Sequence, residues 1–221
     1  MSNYFSKLPD FNYVSRLPDA KISDYITVKN LFKRGFLRED IFQDLVYFTK
    51  YQIVGDDRPD NVAHKIYDDK NLDWIVLASN NIVNIHSEWP LTQRQFDEYL
   101  MNKYDNLDRI YGEIHHYETT EVVNSTGVVI VPEGMHVESD YSIQFYDSPA
   151  ERYTIKYPVK SVSNYEYEAK IEDEKRNIYL LKPRYINIAK DDLEEMMTYK
   201  KGSTQYVSET LKSADNIRLF Q

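Results

Sequence analysis

The stretch from Tyr51 to Leu91 constrains the chain more than any other. Residues 41–54 alternate in part, their end Phe48 to Val54 suits a strand, and Gly55-Asp56-Asp57 breaks it. Asp57 can cap a helix whose first turn holds Pro59 and Asp60. Val62, Ala63, Ile66 and Tyr67 give that helix one apolar face. Asp68-Asp69-Lys70-Asn71 turns the chain into a second helix, Leu72 to Ala78. That helix is apolar nearly all round, so it must be buried. Asn80-Asn81 ends it, because asparagine tolerates the left-handed backbone of a helix stop. Ile82-Val83-Asn84 leads to Trp89-Pro90-Leu91, read as a short closing strand. The pattern is β-α-α-β.

The flanks are less regular. Residues 1–40 read as an extended arm, in which Leu8-Pro9-Asp10 is echoed by Leu17-Pro18-Asp19. Such an arm, with Phe5, Phe11 and Tyr13 exposed, needs its own body or a neighbour to lie on. Thr92 and Gln95 match a capping box, opening a helix with Phe96, Tyr99, Leu100 and Tyr104 on one side. Arg109–Val123 and Val128–Val131 read as strands around the Asn124-Ser125-Thr126-Gly127 turn. Tyr141–Tyr146 reads as a further strand, and Asp147–Pro158 as a loop. Ser163 and Glu166 open a charged helix, and Asn177–Leu181 is a strand stopped by Pro183. Tyr185–Ile188 reads as extended and Asp191–Tyr199 as a helix. Gly202-Ser203-Thr204 is a joint before a tail ending in Leu219-Phe220. The expected class is α+β.

Composition narrows the chemistry. Residues 1–50 carry 8 Lys/Arg against 6 Asp/Glu, a net of +2, and residues 51–221 carry 19 against 30, a net of −11. An acidic body does not suit nucleic acid or an anionic membrane surface. With no cysteine, disulfides, zinc-thiolate sites and cysteine nucleophiles are excluded. The N-terminus lacks the pattern of a signal peptide, and no apolar run could span a bilayer, so a soluble chain in a cytoplasm is expected. The glycines, at 35, 55, 112, 127, 134 and 202, build no phosphate loop. His115 and His116 are neighbours on an expected strand and point to opposite faces, so a shared metal site is not expected there. Paired acids such as Asp68-Asp69 and Glu194-Glu195 read as caps and solvated faces. No catalytic, cofactor or metal residue is assigned. The 20 tyrosines against 9 phenylalanines suit a surface that is wet before assembly and covered afterwards, although strands favour tyrosine as well.

The Tyr51–Leu91 segment resembles a LysM module. Val54-Gly55-Asp56-Asp57, Val62 to Tyr67, Leu72 to Ala78 and Asn80 to Asn84 follow that order. Asp68 stands where the module usually has glycine, and His86 to Leu91 replaces its closing Pro-Gly-Gln strand. More widely, Tyr25 to Tyr104 is similar to the LysM-like wedge subunit of T4-type phage baseplates, the gene product 53 family. Arg58-Pro59, Ile66-Tyr67, Leu72, Trp74 and Trp89 carry the similarity, and it returns at Tyr167-Glu168-Ala169, Glu172–Arg176 and Ile188-Ala189-Lys190.

With it, the chain divides into an extended arm (1–40), a LysM-like module with its following helix (41–108), a β-rich region (109–158) and a helix-strand-helix region with a tail (159–221). The resemblance implies a non-enzymatic virion protein of the tail baseplate, assembled in the host cytoplasm. Its implied partners are the ring-forming wedge core subunits and the sheath-initiating subunit of a six-fold baseplate. Candidate contact residues are Phe5, Phe11, Tyr13, Gly55, Asp56, Arg58, Asn80, Asn81, Leu219 and Phe220. The alternative is a glycan-binding LysM module, contacting sugar through Gly55–Pro59 and Asn80–Asn84. A peptidoglycan-degrading tail enzyme lacks any acid or metal constellation to support it.

Overall fold

The structure is a computed structural model and describes residues 4–21, 24–202 and 205–213. The fold is mixed α+β with several small sheets. It forms two compact units, Met1–Trp89 with Arg176–Gln221, and the intervening Pro90–Lys175. These boundaries cut across the segments expected from the sequence, because the strand after residue 175 pairs back into the first unit.

The chain opens with α1 (Tyr4–Lys7), β1 (Asp10–Val14), β2 (Tyr25–Lys29) and α2 (Glu39–Phe42). Then come β3 (Phe48–Gln52), α3 (Pro59–Tyr67), α4 (Asp73–Ser79) and α5 (Ile85–Glu88). The second unit runs through α6 (Gln93–Tyr104), α7 (Leu107–Tyr111), β4 (Ile114–Thr119), β5 (Val122–Val123), β6 (Val129–Val131), β7 (His136–Val137), β8 (Ile143–Asp147), β9 (Arg152–Lys156), β10 (Val159–Ser163) and α8 (Asn164–Lys175). The first unit is completed by β11 (Asn177–Leu181), α9 (Ile186–Met197), β12 (Tyr206–Ser208) and β13 (Leu211–Ser213).

The first unit is built on the β-α-α-β order, but its closing strand is not the expected one. Within Ile82–Leu91, Ile85–Glu88 forms α5 instead, because Asn84 Oδ1 accepts from His86 N–H and the Glu88 carboxylate accepts from Val83 and Asn84 N–H. β3 pairs antiparallel with β11, Phe48 opposite Leu181 and Gln52 opposite Asn177. Val62, Ala63, Ile75 and Val76 of α3 and α4 pack with Phe48, Ile178, Leu180 and Leu181 in one core. At α3, Arg58 rather than Asp57 occupies the cap position, and the Asp57 carboxylate pairs with Lys65. Asp68 closes that helix at φ 57°, the conformation a glycine would take there.

Residues 1–40 are not an extended arm. β1 lies between β2, antiparallel, and β13, parallel, in a sheet ordered β12-β13-β1-β2. Leu8 is buried against Leu193 and Met197 of α9. Gly35 allows a close approach: a Cβ there would lie 2.2 Å from Leu193 Cδ1. Tyr4 Oη accepts from Gly35 N–H at 2.8 Å. Leu8 and Tyr4 thus cover the Leu193 and Met197 side of α9.

In the second unit, Thr92 and Gln95 form the expected capping box and Ser163 with Glu166 forms the other. Phe96, Leu100 and Ile110 make its core, with Tyr104, Tyr165 and Ala169 around them. Its sheets are β10-β4-β7, β5-β6 and β8-β9. Three local expectations fail. Arg109–Tyr111 is helical, since Asn106 Oδ1 caps α7 through Arg109 N–H. The expected loop after Asp147 contains β9, hairpinned onto β8. In the first unit, Ile186–Ile188 begins α9 rather than extending, and it buries Ile186 and Ala189.

Candidate assembly surface

An exposed apolar surface of the first unit begins at β2. Among the described residues β2 is the outer strand of its sheet, bonded to β1 alone. Every residue of β2 is exposed, Tyr25, Ile26 and Val28 included. An unpaired strand edge with apolar side chains is a template for another chain. The loop that follows adds Leu31 (69% exposed), Phe32 (100%) and Phe36 (60%). Rings this large are rarely left in water without a partner surface.

The basic side chains that follow Phe32 are tied to neighbouring backbone. The Lys33 ammonium donates to the carbonyls of Met196 and Thr198 at 2.7 and 2.8 Å. Burial lowers its pKa, and the nearby Lys212 and Lys200 charges lower it further. Arg34 donates to Ile82 O at 3.3 Å. Phe32 thus projects from a loop fixed at its neighbours, which reduces the entropy a partner must overcome to bind it.

Beside this loop, Tyr4, Phe5, Trp74, Leu77, Ile82 and Val83 line a cleft of about 470 Å³. The Tyr4 ring meets Phe5 edge-on at 5.6 Å and Trp74 at 6.0 Å. Asp60 and Asp73 add carboxylates to its wall, and burial raises the Asp73 pKa.

The structure places the sequence-derived contact residues as follows. Phe5 lines the cleft and is exposed. Phe11 is half-buried in β1, and Tyr13 is exposed with Arg16 5.7 Å from its ring centre. Gly55 sits at φ 62° in an open turn, with Asp56 exposed beside it. Arg58 is exposed and pairs with Asp60 at 3.2 Å. Asn81 is exposed at φ 52°. Asn80 is tied into the fold: its Nδ2 donates to Val76 O and Tyr179 O, and its Oδ1 accepts from Tyr179 N–H. The other turn is tied down by Arg176, just before β11, which donates to Gly55 O at 2.8 Å. Leu219 and Phe220 lie outside the described residues. The sequence reading did not single out Phe32, although Leu31-Phe32-Lys33-Arg34-Gly35-Phe36 interleaves aromatic and basic residues as an interface does.

The family's sequence model, described as base plate wedge protein 53, matches residues 5–199. The chain belongs to the base plate wedge protein 53 family. No curated protein matches it. The family is one of structural proteins of the phage tail baseplate, which points to the virion as the site of action and away from catalysis. As a baseplate wedge protein the chain meets other baseplate components. The match carries no support for the glycan-binding alternative. No helix among the described residues is long and apolar enough to cross a membrane.

One side-chain cluster escaped the sequence reading. His115 and His116 do not act apart: their Nδ1 atoms are 2.8 Å from each other. His116 also converges with Glu118 and His136 across two strands.

Proposed function

We propose that this chain docks through the β2 edge and the Leu31–Phe36 loop onto a wedge core subunit, and that this joint helps hold neighbouring wedges together in the six-fold baseplate. The observation that carries the reading is Phe32, fully exposed on a loop whose neighbours are hydrogen-bonded in place. A partner strand added along β2 would gain main-chain hydrogen bonds, while Phe32 and Phe36 would bury aromatic area. Phe5 and its cleft form a second contact, suited to an apolar side chain of the sheath-initiating subunit. Gly55, Asp56, Arg58 and Asn81 supply a polar rim. Assembly takes place in the host cytoplasm before incorporation into the virion.

We further infer that β3, α3, α4 and β11 are a LysM-like unit whose second helix and closing strand are separated by the inserted Pro90–Lys175. In this reading the module serves as a docking block rather than a sugar site.

Co-expression with the wedge proteins tests the proposal. The wild type should co-purify with a wedge core subunit, and Phe32→Ser combined with Val28→Lys should lose it while melting at the wild-type temperature. Co-purification of the double variant at wild-type yield would remove the β2 surface from the interface. Saturable binding to peptidoglycan without wedge co-purification would overturn the assembly role itself.

A further inference from the structure

The β4–β7 face carries a ligand set that the assembly role does not use. His116 and Glu118 are two residues apart on β4, so both side chains leave the same face. His136 on β7 is in register with Glu118. Each of the three offers one ligand atom, and these atoms lie within 4.8 Å of one another. The His116 and His136 rings stack with centres 4.2 Å apart, and His116 Nε2 is 3.0 Å from Glu118 Oε1. His116 and Glu118 are half-buried, while His136 is exposed.

The surroundings aim this set. His115 stacks on Tyr167 at 3.8 Å and 11°, and its Nδ1 meets His116 Nδ1. Tyr167 also stands edge-on to His116 at 5.7 Å. His116 therefore engages its inner nitrogen with a fixed neighbour and turns Nε2 toward the carboxylate. That is the outer contact by which proteins orient metal-binding imidazoles. Two imidazoles and one carboxylate suit zinc and related ions, and leave a fourth position open. The cation now beside Glu118 is the Lys170 ammonium, 3.2 Å away on an exposed side chain that is free to swing out.

We propose that this face binds one divalent transition-metal ion of the zinc class through His116 Nε2, Glu118 and His136, with Lys170 displaced. A carboxylate only accepts, so without metal His116 Nε2 carries the proton and donates it to Glu118. In the metal form Nε2 gives its lone pair to the ion and its proton passes through water to Nδ1, which then donates to His115 Nδ1, while His115 gives up its own Nδ1 proton and carries one on Nε2 instead. The ion ties β7, which spans only His136–Val137, to β4.

The test uses the full chain stripped of metal and titrated with Zn²⁺ against a chromophoric chelator. Co²⁺ serves as a spectroscopic stand-in. One equivalent should bind, and His136→Ala should weaken binding by about tenfold or more. His136 is exposed, so that variant keeps its fold and carries the test even if His116→Ala does not. Lys170→Met should bind at least as tightly as wild type, because the competing charge is gone. His64→Ala and His86→Ala, on exposed positions of the first unit, should leave the affinity unchanged. Zn²⁺ should raise the melting temperature of the wild type and not of His136→Ala. Absence of Zn²⁺ binding, or equal binding by wild type and His136→Ala, would overturn the site.

Discussion

Replacing Leu8 by alanine asks whether residues 1–40 belong to the folded unit or form a detachable arm. Leu8 is 2% exposed and packs with Leu193 and Met197, with Tyr4 and Trp74 at the margin. Truncating a buried leucine costs about 2–5 kcal/mol, the upper values arising where the cavity cannot relax. This cluster is small and meets the main core at the half-buried Trp74, so neighbours can close in part, which sets the expectation at roughly 2–3 kcal/mol. For a unit of intermediate size each kcal/mol moves Tm by about 3–5 °C, giving a fall of roughly 6–15 °C. Both tryptophans, Trp74 and Trp89, lie in the first unit, so their emission during urea unfolding follows that unit alone. Leu17→Ala, at an exposed position, is the control and should change stability by less than ~0.5 kcal/mol. A double-mutant cycle with Leu193→Ala should show coupling of about 0.5 kcal/mol or more, since the two side chains share a cluster. If Leu8→Ala unfolds with the Leu17→Ala control, the stretch does not dock on α9 and the reasoning fails.

Two further outcomes follow from single residues. In the second unit Glu168 is buried and accepts from Tyr104 Oη at 2.8 Å, Tyr99 Oη at 3.2 Å and Lys103. Burial pushes its pKa up, but the Lys103 ammonium and the two hydroxyls outweigh burial and hold it below the ordinary 4.5. Its contribution is therefore present above that value and lost as pH falls through the folded-state value, so far-UV melts should show an acid limb that Glu168→Gln flattens. Asn80→Ala removes three hydrogen bonds, two of them joining the end of α4 to Tyr179 of β11, and should cost about 1–3 kcal/mol in the tryptophan-monitored transition. A neutral Asn80→Ala would leave that asparagine free to act as a surface contact.

What could be read from the sequence was local. Both capping boxes depend on residues three apart, so Thr92–Gln95 and Ser163–Glu166 were visible at once. The same holds for α3 and α4, whose apolar spacing is a property of each helix alone. Pairing is not local. Asn177–Leu181 was legible as a strand, yet nothing in its residues names β3 as its partner. β9 alternates, Tyr153 and Ile155 between Arg152, Thr154 and Lys156, but it is only five residues long and sits between Pro149 and Pro158, which mark a loop. Leu8 read as part of an arm because its partners, Leu193 and Met197, are distant in the chain. Of the proposed assembly surface, Phe5 was visible as an exposed aromatic, while Phe32 depends on its loop being fixed by Met196, Thr198 and Ile82. The metal-ligand set was missed because the sequence weighed His115 against His116, whereas the ligands converge from β4 and β7.

The position of the insertion has a thermodynamic consequence. α3 and α4 bury their apolar faces only when β11 returns to β3, so closing the first unit means closing a loop that contains the whole of Pro90–Lys175. Were that loop a flexible chain, its closure would cost roughly 2 kcal/mol more than a direct connection of about ten residues. The second unit removes much of this cost by itself. Leu91 N–H donates to Glu172 Oε2 at 3.0 Å, so the beginning and end of the insertion are held together by its own contacts. Once Pro90–Lys175 has folded, β11 starts from a point already near the end of α5, and the effective loop is short. Stability of the first unit is thereby coupled to that of the second through the chain alone. Acid that protonates Glu168 should then weaken the tryptophan-reported transition as well, although neither Trp74 nor Trp89 lies in the unit that holds Glu168.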